Sequence, residues 1–449
     1  MQRWRSRPRS VSIAPPGDGV VPRASGGVTA RAGSLYYGWV LVVTLAITET
    51  TSWGVLYYSF TVFIDPMHAS FGWSRSAMTG AFALALLVSA AIGVPTGRWL
   101  DRHGPRLLMT AGSCLAALLV LAWAGVDSLP ALYLVWAGIG VAMAGVLYEP
   151  AFVVVATWFR RRRGAALTVL TLIAGLASVI YIPLAGWLVA NGGWRRALVL
   201  LALILALGTI APHALILRRR PEDIGLAPDG GPASVPHDVQ PGGAFAEPDL
   251  PERSLAARQA MRGATFWLLT AAFFLNGLGV SAMLVHLVPY LTDRGFSAGF
   301  AARIAGLVGI MALPGRLVLT PLGDRISRSL ITCAIFVLQV VALLALLLVN
   351  GTAGVLIFVV LFGAGFGAVT PARAALVAQY YGPASYGAIS GAMAFFLTGS
   401  RAVAPVAAAL LYDATGTYRI AFWSLTAASA VAAVTVLLAE RSATAPQRT

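Results

Sequence analysis

Gly97-Arg98-Trp99-Leu100-Asp101-Arg102-His103-Gly104-Pro105-Arg106 and Thr320-Pro321-Leu322-Gly323-Asp324-Arg325 are two short polar turns, each set between long apolar runs. Their Asp-Arg pairs stand 223 residues apart in a chain of 449. Charged turns between hydrophobic runs are the connections of a polytopic membrane protein, and their recurrence at half the chain length predicts two related halves. Composition agrees, since 58% of residues are hydrophobic, 11% are charged and the mean hydropathy is +0.79. A water-soluble surface needs far more charge. The uncharged windows are long enough to cross a hydrocarbon core about 30 Å thick, so the spans read as helices; a barrel would show short alternating segments.

Apolar windows fall near 37–59, 76–99, 107–126, 130–156, 165–190 and 195–216, and again near 264–290, 299–322, 330–350, 353–378, 386–411 and 418–438. The expected layout is a basic tail over 1–35, a six-helix bundle over 36–217, a Pro- and Gly-rich linker over 218–262 with a short helix near Leu255, a second bundle over 263–439 and a tail over 440–449. Arginine counting places Arg98, Arg102, Arg106, Arg160 to Arg163 and Arg218 to Arg220 on the inner side, with both termini. The expected location is a bacterial inner membrane. The tail to Leu35 lacks the apolar segment of a cleavable signal. All 32 basic side chains are Arg, so the net charge of +15 reads as genome composition and not as nucleic-acid binding. Cys114 and Cys333, one per half, suggest neither disulfide nor metal site.

The halves repeat in parallel. Pro150 after Gly138, Gly140 and Gly145 recurs as Pro371 after Gly363, Gly365 and Gly367; Gly193-Trp194-Arg195 recurs as Thr417-Tyr418-Arg419, and Pro183 as Pro405. Four landmarks at nearly one offset fit a carrier whose halves rock about a central site, and give no reason for a single-bundle receptor or channel. No nucleotide loop, metal-ligand cluster or covalent nucleophile is visible, so neither ATP drive nor an enzyme is expected, and no cofactor.

The pattern G-x-x-x-D-R-x-G-x-R at Gly97, Asp101, Arg102, Gly104 and Arg106 resembles the inter-helix signature of the major facilitator superfamily, and the resemblance covers nearly all of Tyr36 to Ala439. Further stretches resemble its bacterial monocarboxylate and oxalate/formate branch: Tyr36-Tyr37-Gly38-Trp39-Val40, Tyr148-Glu149-Pro150, Trp158-Phe159 with Arg162-Arg163-Gly164, Arg220-Pro221-Glu222-Asp223-Ile224-Gly225, His286-Leu287-Val288-Pro289-Tyr290 and Gly315-Arg316. The resemblance implies the fold of that superfamily, twelve transmembrane helices in two pseudo-symmetric six-helix bundles. It also implies that Arg316 on the eighth span binds substrate, and that Tyr148 donates to it. The animal members' Asp one turn before that Arg is Ala312 here, and their Lys at the end of the first span aligns with Tyr58. Basic residues on spans eight and eleven, as in oxalate-type exchangers, suggest Arg316 and Arg401 as a pair for a dianion.

An ionised group inside an apolar helix costs about 3 kcal/mol or more, and survives when it lines a wet cavity, pairs or snorkels. Arg316 lies two helical turns, roughly 12 Å, from Asp324. It reads as a carboxylate clamp, or else as a gating salt bridge or a snorkelling stem. Arg401, mid-span, serves the cavity or packing, and Arg373, two after Pro371, reads as structural. Glu49 and Glu149 are the proton-coupling candidates, each also able merely to neutralise an Arg. His286 either meets the anion or is a satisfied interhelical donor, while Tyr58 and Tyr290 are further cavity candidates. Asp101, Arg102, Arg106, Asp324 and Arg325 are expected to gate the inner side. The reading is secondary transport of a small organic carboxylate by a monomer in the lipid bilayer, a proton moving with a monocarboxylate. The alternatives are dicarboxylate or oxalate-type exchange, and efflux of another small molecule.

Overall fold

The computed structural model describes residues 36–230 and 255–444. The expected tail over 1–35, the middle of the linker and the last five residues lie outside the described residues. Among the described residues, eleven helical runs are long and apolar enough to cross a membrane. One of them, Arg163–Ile216, has 54 residues and would extend about 81 Å, far beyond one crossing. Gly193 breaks it with φ 76° and ψ 162°, a left-handed backbone open to glycine, so the run is two spans and the total is twelve.

The spans are α1 (Tyr37–Phe71), α2 (Arg75–His103), α3 (Pro105–Ala124), α4 (Leu129–Trp158), α5 (163–192), α6 (194–216), α7 (Ala264–Asp293), α8 (Ala298–Leu322), α9 (Arg328–Leu348), α10 (Gly351–Tyr381), α11 (Tyr386–Thr415) and α12 (Arg419–Thr444). The chain is an all-α polytopic membrane protein. Span α1 runs well past the expected end at 59. Phe60, Phe63 and Met67 bury themselves in the first-half core, and the run stops only where Gly72, at φ 71°, sends its N–H back to His68 O. Leu255 donates its N–H to Tyr381 O, and a short helix follows over Ala257–Arg262.

Three buried cores describe the architecture. One holds Val55, Phe60, Phe63, Trp123, Trp136, Tyr181 and Leu198, all from the first six spans. A second holds Met283, Leu287, Ile304, Leu343, Phe358 and Phe422, all from the last six. The third mixes both halves, with Leu41, Leu100, Phe152 and Trp158 beside Phe266, Phe336, Tyr381 and Tyr386. These last residues lie toward the ends of the spans that carry the arginine-rich loops. The halves therefore share one core on the arginine-rich side and keep separate cores on the other. The cleft between them opens away from the arginines.

Candidate functional site

The first-half wall of that cleft is aromatic. A turn with i→i+5 bonds over Gly54–Tyr58 inserts one residue into α1 and rotates the remainder of the span by about 100°. Trp53, Tyr57 and Tyr58 thereby form one group, with ring centroids 5.1 Å apart for Trp53 and Tyr57 and 5.2 Å for Tyr57 and Tyr58. Span α4 breaks at Leu147 (φ −91°, ψ −168°), one residue before Tyr148. Pro150 sits in the first turn after the break, where its missing N–H leaves no gap. The break sets the Tyr148 ring 5.0 Å from Trp53 and 5.2 Å from Phe152. The hydroxyls of Tyr58 and Tyr148 make no hydrogen bond among the described residues.

Facing this wall are cations of the second half. Tyr58 lies within electrostatic range of both Arg316 and Arg401, and Tyr148 within range of Arg316, Glu49 and Tyr58. The half-buried Arg316 donates from Nε to Gly367 O of α10 at 3.1 Å, and from Nη1 to Thr171 O of α5 at 2.8 Å. It pairs with no carboxylate among the described residues. Three N–H groups remain, one on Nη1 and two on Nη2, which is the end-on edge that accepts a carboxylate. Arg401, mid-way along α11, is exposed and has neither hydrogen bond nor ion pair among the described residues. Glu49 is fully buried and neither of its oxygens is hydrogen-bonded; the Trp53 indole N–H approaches it without reaching hydrogen-bond geometry.

Glu149 is placed elsewhere. Its carboxylate accepts short hydrogen bonds from Arg373 of α10 and Ser390 of α11, so it bridges the halves on the closed side of the cleft. Arg373 is buried and also donates to Ser390. The structure does not bring His286 and Tyr290 to the cluster. The His286 ring nitrogens lie 3.1 Å from the Tyr418 hydroxyl and 2.9 Å from Pro405 O, and Tyr290 donates to Leu346 O and packs on Phe422. Both are engaged by partners within the second half, which keeps them off the Trp53–Tyr58–Tyr148 wall.

The two Asp-Arg turns close the arginine-rich side. Asp101 accepts from the N–H groups of Gly387 (2.8 Å) and Ala388 (3.0 Å) at the start of α11. Asp324 accepts from Gly164 (3.1 Å) and Ala165 (3.3 Å) at the start of α5, and pairs with Arg328 at 3.2 Å. Each carboxylate thus caps a helix N-terminus of the opposite half, where unpaired N–H groups and the helix dipole favour an anion. The backbones touch as well: a Cβ on Gly97 would collide with Gly387 O. Arg106 donates from Nε to Ala214 O within the first half at 2.5 Å, and Arg102 and Arg325 are exposed.

Sequence reasoning passed over Trp53, Thr171, Gly175, Ser390 and Asp229. The Trp53–Tyr57 spacing of one helical turn was a signal for the first. Asp229 follows the Ala227-Pro228 step and accepts from the backbone N–H groups of Arg160, Arg161 and Arg162 at 2.9, 2.6 and 3.1 Å, folding the start of the linker onto the α4–α5 loop. A loop-to-loop contact of this kind has no local pattern. No group of His, Cys, Asp or Glu that could hold a metal occurs among the described residues.

Comparison with known proteins agrees with this geometry. The family model described as Major Facilitator Superfamily matches residues 42–405. Monocarboxylate transporter 13 of Rattus norvegicus is 26% identical over 352 residues, 77% of this chain and 76% of its own length. The oxalate:formate antiporter of Oxalobacter formigenes is 26% identical over 247 residues, 54% of this chain and 53% of its own. Among solved structures, the transporter FucP in the outward conformation superposes with a TM-score of 0.69 at 15% identity, covering 90% of this chain and 99% of that one. A bacterial homologue of the iron transporter ferroportin in an outward-facing state gives 0.69 at 17%, covering 91% and 100%. With twelve spans, a cleft between halves and a family model matched over most of its length, the chain belongs to the major facilitator superfamily, whose members are transporters and not enzymes.

Proposed function

We propose that this carrier moves a small organic carboxylate, a monocarboxylate of lactate or pyruvate size together with a proton, by alternating access. The observation that carries the reading is the free edge of Arg316 in a cleft walled by Trp53, Tyr58 and Tyr148. A guanidinium held in the cleft by carbonyls, with its end edge open, can take a carboxylate on that edge, and the tyrosine hydroxyls can donate to the same oxygens while their rings limit width. Glu49 is the proton site in this account. Its buried carboxyl has no hydrogen bond among the described residues, and an acid so placed inside a span is a natural carrier of the co-transported proton. The bundles 36–217 and 263–439 rock about the site, joined by the linker 218–262. Asp101, Asp324 and the Glu149–Arg373 pair hold the arginine-rich side shut. That side is the cytoplasmic one, with both termini, in a bacterial inner membrane, and the monomer is the working unit.

A second reading, exchange of a dicarboxylate or oxalate-like anion, is favoured by one observation. Arg401 has no ion pair among the described residues and lies, like Arg316, within electrostatic range of Tyr58. With Glu49 carrying the proton, Arg316 alone balances a monoanion and Arg316 with Arg401 balances a dianion, so the number of cations that face the site sets the substrate valence. The test is counterflow of labelled lactate and labelled oxalate in liposomes carrying wild type or Arg316→Lys. Lys keeps the charge but loses the planar fork, and loss of the paired contact costs about 1.5–3 kcal/mol of affinity. Counterflow of either solute that Arg316→Lys leaves unchanged removes Arg316 as the anchor.

A further inference from the structure

Arg316 is the anion anchor of the proposed function, and an inference about its other bonds rests on that reading. Within the cleft the guanidinium is already engaged. Nη1 donates to Thr171 O on α5, in the first half, while Nε donates to Gly367 O on α10, in its own half. One side chain therefore ties the two bundles together at the depth of the site. Ala312 stands where a carboxylate one turn away would have compensated the charge, and no acid pairs with Arg316 among the described residues. Backbone carbonyls do that work instead.

The local structure of α5 makes the contact possible. Span α5 is interrupted after Ala174, where Gly175 and Leu176 turn before the helix resumes at Ala177. The Gly175 N–H returns to Thr171 O at 2.9 Å, so this carbonyl accepts from the turn and from Arg316 together. Gly175 is also where the guanidinium enters: a Cβ there would collide with Nη1 and crowd Thr171 O. Any other residue at 175 pushes Arg316 off its carbonyl.

We propose that the Thr171 carbonyl is a resident ligand of the anion site, displaced by the substrate carboxylate, with Gly175 as the positioning residue that admits the guanidinium to it. A carboxylate that takes the Nη1–Nη2 edge is a stronger acceptor than a neutral carbonyl and draws the guanidinium toward the cleft. The bond between the halves then breaks when, and because, the solute binds. A charged hydrogen bond of this kind biases an equilibrium by roughly ten- to a hundredfold, enough to hold most of the unloaded carrier closed on the arginine-rich side while leaving a returning minority, and to release it once loaded. The chemistry is that of a carboxylate competing with an amide oxygen, so neutral solutes of the same size do not release the bolt.

The experiment places spin labels at Leu107→Cys and Leu330→Cys, exposed positions on the arginine-rich ends of α3 and α9, in a background carrying Cys114→Ser and Cys333→Ser. Their distance distribution reads opening of the closed side, with sodium lactate and sodium oxalate as probes. In wild type, the long-distance population is small without solute and rises with whichever probe binds. In Gly175→Ala it is already present without solute, and the probe still binds but no longer shifts it. A wild-type-like response in Gly175→Ala overturns the inference. Should that variant fold poorly, hydrogen exchange of residues 167–176 in wild type decides, since a probe that binds without speeding exchange there also overturns it. Arg316→Lys separates the two claims. Unchanged probe binding in Arg316→Lys defeats the anchor reading itself, whereas lost binding there beside a wild-type-like Gly175→Ala defeats only the bolt.

Discussion

Arg373 and Glu149 form an ion pair across the halves, and neutralising the acid as Glu149→Gln leaves a cation with 7% side-chain exposure facing an amide. Breaking a fully buried pair from one side costs about 3–5 kcal/mol, but the 30% exposure of Glu149 admits water and screening, leaving about 2 kcal/mol. The pair bridges α4 and α10, so this energy is lost from the closed arrangement of the arginine-rich side and shifts the conformational equilibrium by about thirtyfold. Removing the cation as well, in Glu149→Gln with Arg373→Gln, takes away the stranded charge and recovers at least half the shift. Ser390, which accepts from Arg373 and donates to Glu149, remains in place in both variants. The assay is the label pair at 107 and 330, read as populations for wild type, both single variants and the double. A coupling energy below about 0.5 kcal/mol, meaning singles that simply add, refutes the claim that the pair acts as one lock between the halves.

The same geometry has other consequences. Gly97→Ala places a methyl against Gly387 O, so the closed side opens and the long label distance rises, whereas the same change at Gly186, which has open space around it, leaves the distribution unaltered. Asp324→Asn weakens the cap on the α5 N-terminus by about 1 kcal/mol and raises opening several-fold in the same measurement; no change in population contradicts the capping role. Glu49→Gln in liposomes retains lactate counterflow and loses accumulation driven by a pH gradient, and intact accumulation removes Glu49 as the proton site.

The sequence carries the number of spans and their pairing into halves because both are written in long-range periodicity. Charged turns at Asp101 and Asp324, and the breaks between 190 and 195, are local marks of helix ends. The extra length of α1 is not, because residues 60–71 contain Asp65, Pro66 and His68, and tertiary contacts such as Phe63 on Trp123 and Trp194 on Ser70 support the helix there. Arg316 and Tyr148 are visible as polar groups in apolar runs, yet the sequence cannot say which polar groups meet. Glu149 and Arg373 are 224 residues apart and bond. His286 is equally conspicuous in sequence, but Tyr418 and Pro405 absorb it. Carbonyl ligands such as Thr171 and Gly367 are invisible by nature, since every residue has one and only the fold decides which is left over.

The central claim is that Arg316 presents its free edge to a carboxylate in the cleft, with Arg401 deciding whether a second carboxylate is welcome. Competition binding of lactate, pyruvate, oxalate, malonate and succinate at fixed ionic strength and two pH values, on wild type and Arg401→Gln, tests it most directly. The account predicts that carboxylates bind, that lactate or pyruvate affinity survives Arg401→Gln, and that any dicarboxylate affinity falls with that substitution as the second carboxylate loses its partner. A well-folded protein that binds none of the five at either pH contradicts it.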